Sequence, residues 1–329
     1  MKKFAAICLL IILVVCLAAC APAEKTALGF SMGSDYYVTY TSSEDISAEV
    51  SELLSSIEES FSVRVAGSVV ARINAAGVGA FTLTEEESEV LSRCFALAEA
   101  SEGAFDPAIL PLVKAWGFDP PYFMNGEVPP TAQVIEEARA VSSHTLFALS
   151  KEKGTIFKTT AGSELDLGGA IKGYAAERVR DLVKDKVKEA LVYIGGTIAA
   201  LGRSYEIGIT PPRDSKETYA FRFSLKQNEV CATSGDYERF YIYEGKRYHH
   251  ILDNSTGYPA SSGVISATVV SEDGLLADAL ATAIVVLGAE KGAILLESCG
   301  AKGAIVTADK KIIDCGLSVT VKDKSYEIA

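Results

Sequence analysis

The 329-residue chain predicts an α+β fold, mostly antiparallel sheets flanked by helices. Three observations carry that expectation. Apolar residues in the N-terminal half recur at helical spacing. After Val187 the pattern changes to short β-rich runs joined by Gly, Pro and Asn turns. Those runs follow one another along the chain, as hairpins require, and do not alternate strictly with helices as a parallel sheet would. With 49% hydrophobic residues the chain can bury one large core or two fused lobes, and neither a low-complexity linker nor a repeat divides it.

At the N-terminus, Lys2 and Lys3 precede an apolar run from Phe4 to Ala19, so residues 1–19 read as a secretion signal. On length alone the run also barely suffices for an uncleaved membrane helix. Leu17-Ala18-Ala19-Cys20 decides between them, because it resembles the lipobox of bacterial lipoproteins. That likeness implies diacylglycerylation of the Cys20 thiol, residues 20–28 as a short tether, and a folded domain over 29–329. Two or three acyl chains hold a protein durably at a surface, here the extracytoplasmic face of the cell membrane.

Val50, Leu53, Leu54, Ile57 and Phe61 make residues 47–61 an amphipathic helix. Thr84 and Glu87 form a capping box for a second, whose stripe is Val90, Leu91, Cys94, Leu97 and Ala98, with Gly103 at its end. A third helix is expected after Thr131 and a fourth from about Ala170 to Val187. The β-rich runs follow, two of them a hairpin around Glu244-Gly245, then helices over 275–287 and 290–299 and closing strands.

Loss of Lys2 and Lys3 with the signal leaves 29 Lys+Arg against 43 Asp+Glu, a net charge of −14. Such a surface repels nucleic acid, and any anionic ligand needs a local cation. Cys94, Cys231, Cys299 and Cys315 remain beyond the lipobox; their spacing fits no zinc motif and implies no disulfide.

Four stretches carry possible chemistry. Asp278 and Thr282 stand one helical turn apart on the apolar segment ADALATAIVVLG (277–288). A buried carboxylate calls for a cation, and i, i+4 oxygen donors suit Mg²⁺ with phosphate oxygens as its other ligands. An alternative is that Asp278 caps or salt-bridges while Thr282 bonds back to its own helix. LDLGGAIKGYAAERV (165–179) places Asp166, Gly168-Gly169 and Lys172 ahead of a helix, either a phosphate cradle or an ordinary turn with a surface lysine. In RYHHILDNSTGYP (247–259) strand alternation lets only one of His249 and His250 face a site. ATSGDYERFY (232–241) adds Ser234, Asp236 and Tyr237, with no nucleophile-elbow frame around the serine.

With GFSMGSDY (29–36), SFSVRVAGSVVARINAAG (60–77), GAFDPAILPLVKAWGF (103–118), LVYIGGTIAALG and YEIGITPP, these stretches in this order resemble the ApbE family of FAD:protein FMN transferases over nearly the whole mature chain. The resemblance implies transfer of the FMN half of FAD to a threonine or serine hydroxyl of a target protein, releasing AMP. It makes the Gly169 carbonyl, Asp278 and Thr282 the Mg²⁺ ligands and His250 the general base. Met32, Ala104, Phe105, Asp106, Asp166, Lys172 and Leu252 fall on flavin-nucleotide contacts. Implied partners are flavin-bearing subunits of membrane redox complexes and extracytoplasmic FMN-binding proteins. Arg64 stands where the family commonly has tyrosine, with a planar guanidinium able to stack on the flavin; Val69, Ala108, Thr197 and Asn254 also depart from the pattern. An FAD pyrophosphatase giving FMN and AMP, and a non-catalytic FAD-binding lipoprotein, are the alternative readings.

Overall fold

The computed structural model describes residues 23–118 and 128–329; the expected signal segment and Cys20 lie outside them. A nine-stranded sheet forms the frame: β1 (Glu24–Ser31), β2 (Ser34–Thr41), β3 (Glu189–Ile194), β4 (Thr197–Leu201), β5 (Val230–Gly235), β6 (Val264–Ser271), β7 (Lys302–Thr307), β8 (Lys311–Cys315) and β9 (Glu327–Ile328). Spatial order equals chain order, and every pair is antiparallel except β8 with β9. The α+β expectation matches this architecture.

The folded domain begins earlier than expected, because β1 takes up residues assigned to the tether. The reason is its inverted pattern: Ala27 and Ser31 point into the core while Leu28 and Phe30 point to solvent. A strand whose large apolar side chains face outward does not show the usual alternation.

The helices are α1 (Ser47–Phe61), α2 (Val69–Ala75), α3 (Glu85–Ala100), α4 (Leu110–Ala115), α5 (Ala132–Arg139), α6 (Ile171–Val183), α7 (Gly274–Leu287) and α8 (Ala289–Ser298). α1 has the expected bounds and buries Val50, Leu54, Ile57 and Phe61. The Thr84–Glu87 capping box is formed in both directions at the head of α3. α6 stops at Val183, short of Val187, and the chain turns through Lys184–Lys186 into β3. The short α2, capped by Ser68, carries too few turns to show periodicity. Glu244 and Gly245 both take positive φ (49° and 78°) between strands 240–243 and 246–249, the two-residue turn a hairpin's twist selects.

Alternation along the sheet separates two cores. Val230 and Ala232 of β5 face the large cluster built with α1, α3, α6 and α7, while Cys231 between them faces a second cluster under the small sheet of residues 205–209, 221–225 and 320–321. A third cluster joins Leu112, Trp116, Phe118 and Ile135 to Tyr241 and Leu252.

One contact fixes the functional region. α6 and α7 cross backbone to backbone: a Cβ at Gly173 would lie 1.9 Å from the Gly274 carbonyl oxygen, and one at Gly274 would lie 2.2 Å from that of Gly173. Only glycine at both positions permits this approach.

Candidate active site

A cleft of about 800 Å³ opens beside the crossing. Its walls bring together all twelve candidate residues within the described chain, drawn from segments far apart in sequence. Met32 and Arg64 contribute from the N-terminal part of the chain, Ala104, Phe105 and Asp106 from the segment after α3, Asp166, Gly169 and Lys172 from the head of α6, His250 and Leu252 from the segment after strand 246–249, and Asp278 and Thr282 from α7.

The loop before α6 is held from several directions. Asn74 clamps Leu165 like a β-bridge, its amide nitrogen donating to the Leu165 carbonyl (2.8 Å) and its oxygen accepting from the Leu165 N–H (2.7 Å). The Asp166 N–H donates to the Pro107 carbonyl at 2.7 Å, and Asp166 Oδ1 accepts from the Gly168 N–H at 2.7 Å. Lys172 Nζ donates to the Gly168 carbonyl at 2.9 Å, so the cationic head stays at the loop. Asn74 gave no sequence signal, because its partner is 91 positions away.

Asp278 is 5% exposed. Its Oδ2 accepts from the Gly173 N–H at 3.0 Å, a free donor in the first turn of α6 that the glycine crossing brings into reach. Oδ1 has no hydrogen-bond partner and the carboxylate no ion pair among the described residues. A salt bridge for Asp278 is therefore not formed, but the rest of that alternative is present: Asp278 caps an otherwise unpaired N–H at the head of α6, and Thr282 bonds back to its own helix. Thr282 Oγ1 lies 3.1 Å from Ser234 Oγ and makes a longer, 3.4 Å bond back to the Asp278 carbonyl. Gly169 packs against the same hydroxyl, where a Cβ would stand 3.3 Å from Thr282 Oγ1. A half-satisfied buried carboxylate, a hydroxyl and a glycine backbone form an all-oxygen corner, the donor chemistry hard divalent cations take.

The two histidines divide as alternation requires. His249 is buried, its Nε2 donating to the Ala260 carbonyl at 3.0 Å, and it does not line the cleft. His250 does. Its Nδ1 is 3.2 Å from the Arg239 carbonyl. A carbonyl only accepts, so Nδ1 carries the hydrogen and the lone pair is left on Nε2. Packing around the ring, reinforced by the charges of Arg239 and Lys172, holds the His250 pKa well below the ordinary histidine value of 6.5. The imidazole is therefore neutral near pH 7 and competent to accept a proton.

Asp106 is different. Its Oδ1 accepts from the Ala108 N–H (2.8 Å), and its Oδ2 accepts from the His144 N–H (3.0 Å), His144 Nδ1 (2.8 Å) and Asn254 Nδ2 (3.1 Å). The hydrogen bond to Asp106 raises the His144 pKa. The carboxylate thus ties three segments together, with both oxygens engaged. On the cleft lining, Met32 adopts positive φ (51°), fixed by Glu58 Oε2 accepting from the Met32 N–H (3.0 Å) and Ser31 Oγ (2.9 Å). The Arg64 guanidinium packs beside Gly33. Asp236, singled out with Ser234 in the sequence, lies away from the cleft in a bidentate pair with Arg213.

An all-oxygen corner, a lysine at a helix head and a neutral histidine in one cleft are the groups that a phosphoryl-transfer class of site uses. The ApbE family model matches residues 32–306. An FAD:protein FMN transferase of Klebsiella pneumoniae (strain 342) is 34% identical over 83% of this chain and 86% of its own. One of Treponema pallidum (strain Nichols) is 34% identical over 80% and 77%. Among solved structures, the ApbE protein of Thermotoga maritima superposes with a TM-score of 0.79 at 31% identity, covering 89% of this chain and 97% of its own. The apo flavinyl transferase ApbE of Pseudomonas stutzeri gives 0.76 at 29%, covering 93% and 96%. The chain belongs to the ApbE family.

Proposed function

We propose that this protein transfers FMN from FAD to a threonine or serine hydroxyl of a target protein, forming a phosphoester and releasing AMP. The observation that carries the reading is the meeting of the Gly169–Asp278–Thr282 corner with neutral His250 in one cleft. Lys172 at the head of α6 holds pyrophosphate oxygens, supplying a local cation at the phosphate site of an acidic protein. His250 Nε2 takes the proton of the incoming hydroxyl, whose oxygen bonds to the FMN-side phosphorus as the bond to the AMP-side oxygen breaks and AMP departs with that electron pair. Phe105 and Leu252, both buried, give the flavin an apolar wall.

Mg²⁺ fits the corner because Asp278 lines the cleft with one oxygen free of hydrogen bonds and has no cationic partner among the described residues, beside the Thr282 hydroxyl and the Gly169 backbone. Bound by the Gly169 carbonyl, Asp278 and Thr282, it would neutralise charge on the pyrophosphate. The likeness of Leu17-Ala18-Ala19-Cys20 to a lipobox supports an anchor on the extracytoplasmic face of the cell membrane. Since β1 opens at Glu24, a lipid on Cys20 would hold the domain within about 14 Å of the surface, confined with flavin-accepting subunits of membrane redox complexes.

The test incubates the purified mature chain with FAD, Mg²⁺ and a threonine-bearing acceptor domain and measures the acceptor by intact mass. A gain of one FMN supports transfer, and chelation of the metal abolishes it. Free FMN and AMP without labelled acceptor would make the protein a pyrophosphatase, and unchanged FAD a binding protein.

A further inference from the structure

The second face of the large sheet is covered unequally. Directly opposed residues of neighbouring strands share a face. The registers Leu28 to Tyr37, Tyr37 to Tyr193, Tyr193 to Ile198 and Ile198 to Cys231 therefore trace one row of side chains from β1 to β5. At the inner end, Ile198 and Cys231 pack in the cluster under the small three-stranded sheet. The outer end is bare among the described residues: Leu28 is 70% exposed, Phe30 69% and Tyr37 44%.

Four members of the row, Tyr37, Tyr193, Ile198 and Cys231, together with Phe30, line the cleft, while Leu28 does not. The shelf thus continues from the lining of the cleft to the end of the sheet, where, among the described residues, β1 pairs only with β2. An edge strand is a template on which another strand can pair.

We infer that this shelf is the docking surface for the acceptor protein. An extended segment carrying the hydroxyl lies along β1, covers Leu28, Phe30 and Tyr37, and delivers its hydroxyl into the mouth. This rests on the FMN-transfer reading. A dinucleotide held within the cleft leaves a macromolecular acceptor to approach from outside, over a surface continuous with the lining. A contiguous exposed apolar patch beside a reaction site marks such a contact. A lipid surface would also accept Leu28 and Phe30, but lipid over Phe30 and Tyr37 would close the mouth to a polypeptide.

The test compares wild type with Leu28→Glu and the milder Leu28→Ser, in the full mature chain, measuring FMN transfer to the same acceptor domain, FAD affinity and thermal midpoint. The expected result for Leu28→Glu is a KM for acceptor raised at least tenfold, with kcat at saturating acceptor, the Kd for FAD and the midpoint unchanged. Leu28→Ser gives a smaller rise, and serves alone if the glutamate variant does not fold. An unchanged KM in a protein that still labels its acceptor overturns the docking surface and leaves FMN transfer standing. Loss of FAD affinity in parallel assigns the shelf to the dinucleotide and overturns it equally. Loss of binding to phosphatidylcholine vesicles with unchanged KM assigns it to the membrane, with the same consequence. A wild type that labels no acceptor removes the underlying reading as well.

Discussion

Asp106 and Asp278 are both buried carboxylates on the wall of one cleft, yet their surroundings differ in the feature that decides what a carboxylate does. Asp106 receives four hydrogen bonds, two of them from His144, and has nothing left to offer a ligand. Asp278 receives one, from Gly173, and keeps an oxygen open beside Thr282 and Gly169. A saturated buried carboxylate ties structure together; one left half-satisfied at a cleft is a ligand in waiting. The resemblance marks both as site residues, and only the count of partners separates bracket from ligand.

The largest expected effect follows from the open oxygen. Asp278→Ala should lower FMN transfer by about 10³-fold or more, the scale of removing a charge-stabilising group from a phosphoryl-transfer site, while FAD binding falls much less. Labelling rates and FAD titrations of the same preparation check this. Equal loss of both would place Asp278 with Asp106 as a structural residue and erase the distinction.

Next in size is His250→Gln, expected to slow transfer about 10²–10⁴-fold with little change in FAD affinity. The pH dependence has a definite sign. Burial keeps folded His250 neutral below 6.5, so its base form persists as pH falls from 7 to 6 and the acid limb of the rate profile is shifted down. The unfolded chain binds the proton first, so this residue costs the fold stability as pH drops through about 6.5. A rate that halves near pH 6.5 with wild-type slope would contradict that neutral environment.

His144 should behave in the opposite sense. Its folded pKa is raised by Asp106, so its stabilisation is fully present below about 6.5 and fades as pH rises through the higher folded value. His144→Ala is expected to cost about 1.5–3 kcal/mol near pH 6, the range for a charge-assisted hydrogen bond, and less at pH 9. Denaturant midpoints of variant and wild type at the two pH values measure it. A pH-independent loss would mean that the ring contributes packing against Phe95 and no charge.

The sequence made the periodic elements legible because their partners are local. α1, the capping box of α3 and the 244–245 turn each depend on residues within a few positions of one another. Of the twelve cleft residues, Asp278 and Thr282 stood out by their i, i+4 spacing and Asp166, Gly169, Lys172 and His250 by their local stretches, while the other six emerged only from motif order. What stayed hidden depends on contacts between distant segments: Gly173 against Gly274, Asn74 against Leu165, Asp106 against His144 and Asn254. β1 was hidden for another reason, since its outward Leu28 and Phe30 reverse the hydrophobic alternation that marks a half-buried strand.

The smallest effect belongs to Asn254, and it sharpens the comparison most finely. The family turn commonly has proline here, and proline has no donor for Asp106. Asn254 Nδ2 supplies one at 3.1 Å, while Asn254 Oδ1 is buried without a partner. The gain of one hydrogen bond is set against the cost of that orphaned oxygen. Asn254→Ala removes both, so the net loss should be no more than about 1 kcal/mol, with transfer kinetics within twofold of wild type, since the residue does not line the cleft. Asn254→Asp instead puts a second carboxylate against Asp106 and should destabilise more at pH 8 than at pH 5, where one of the pair can hold a proton. Chemical denaturation of the two variants separates the cases. If Asn254→Ala proves as damaging to transfer as His250→Gln, the bracket and the catalytic wall are one device, and counting the partners of a buried carboxylate would no longer tell them apart.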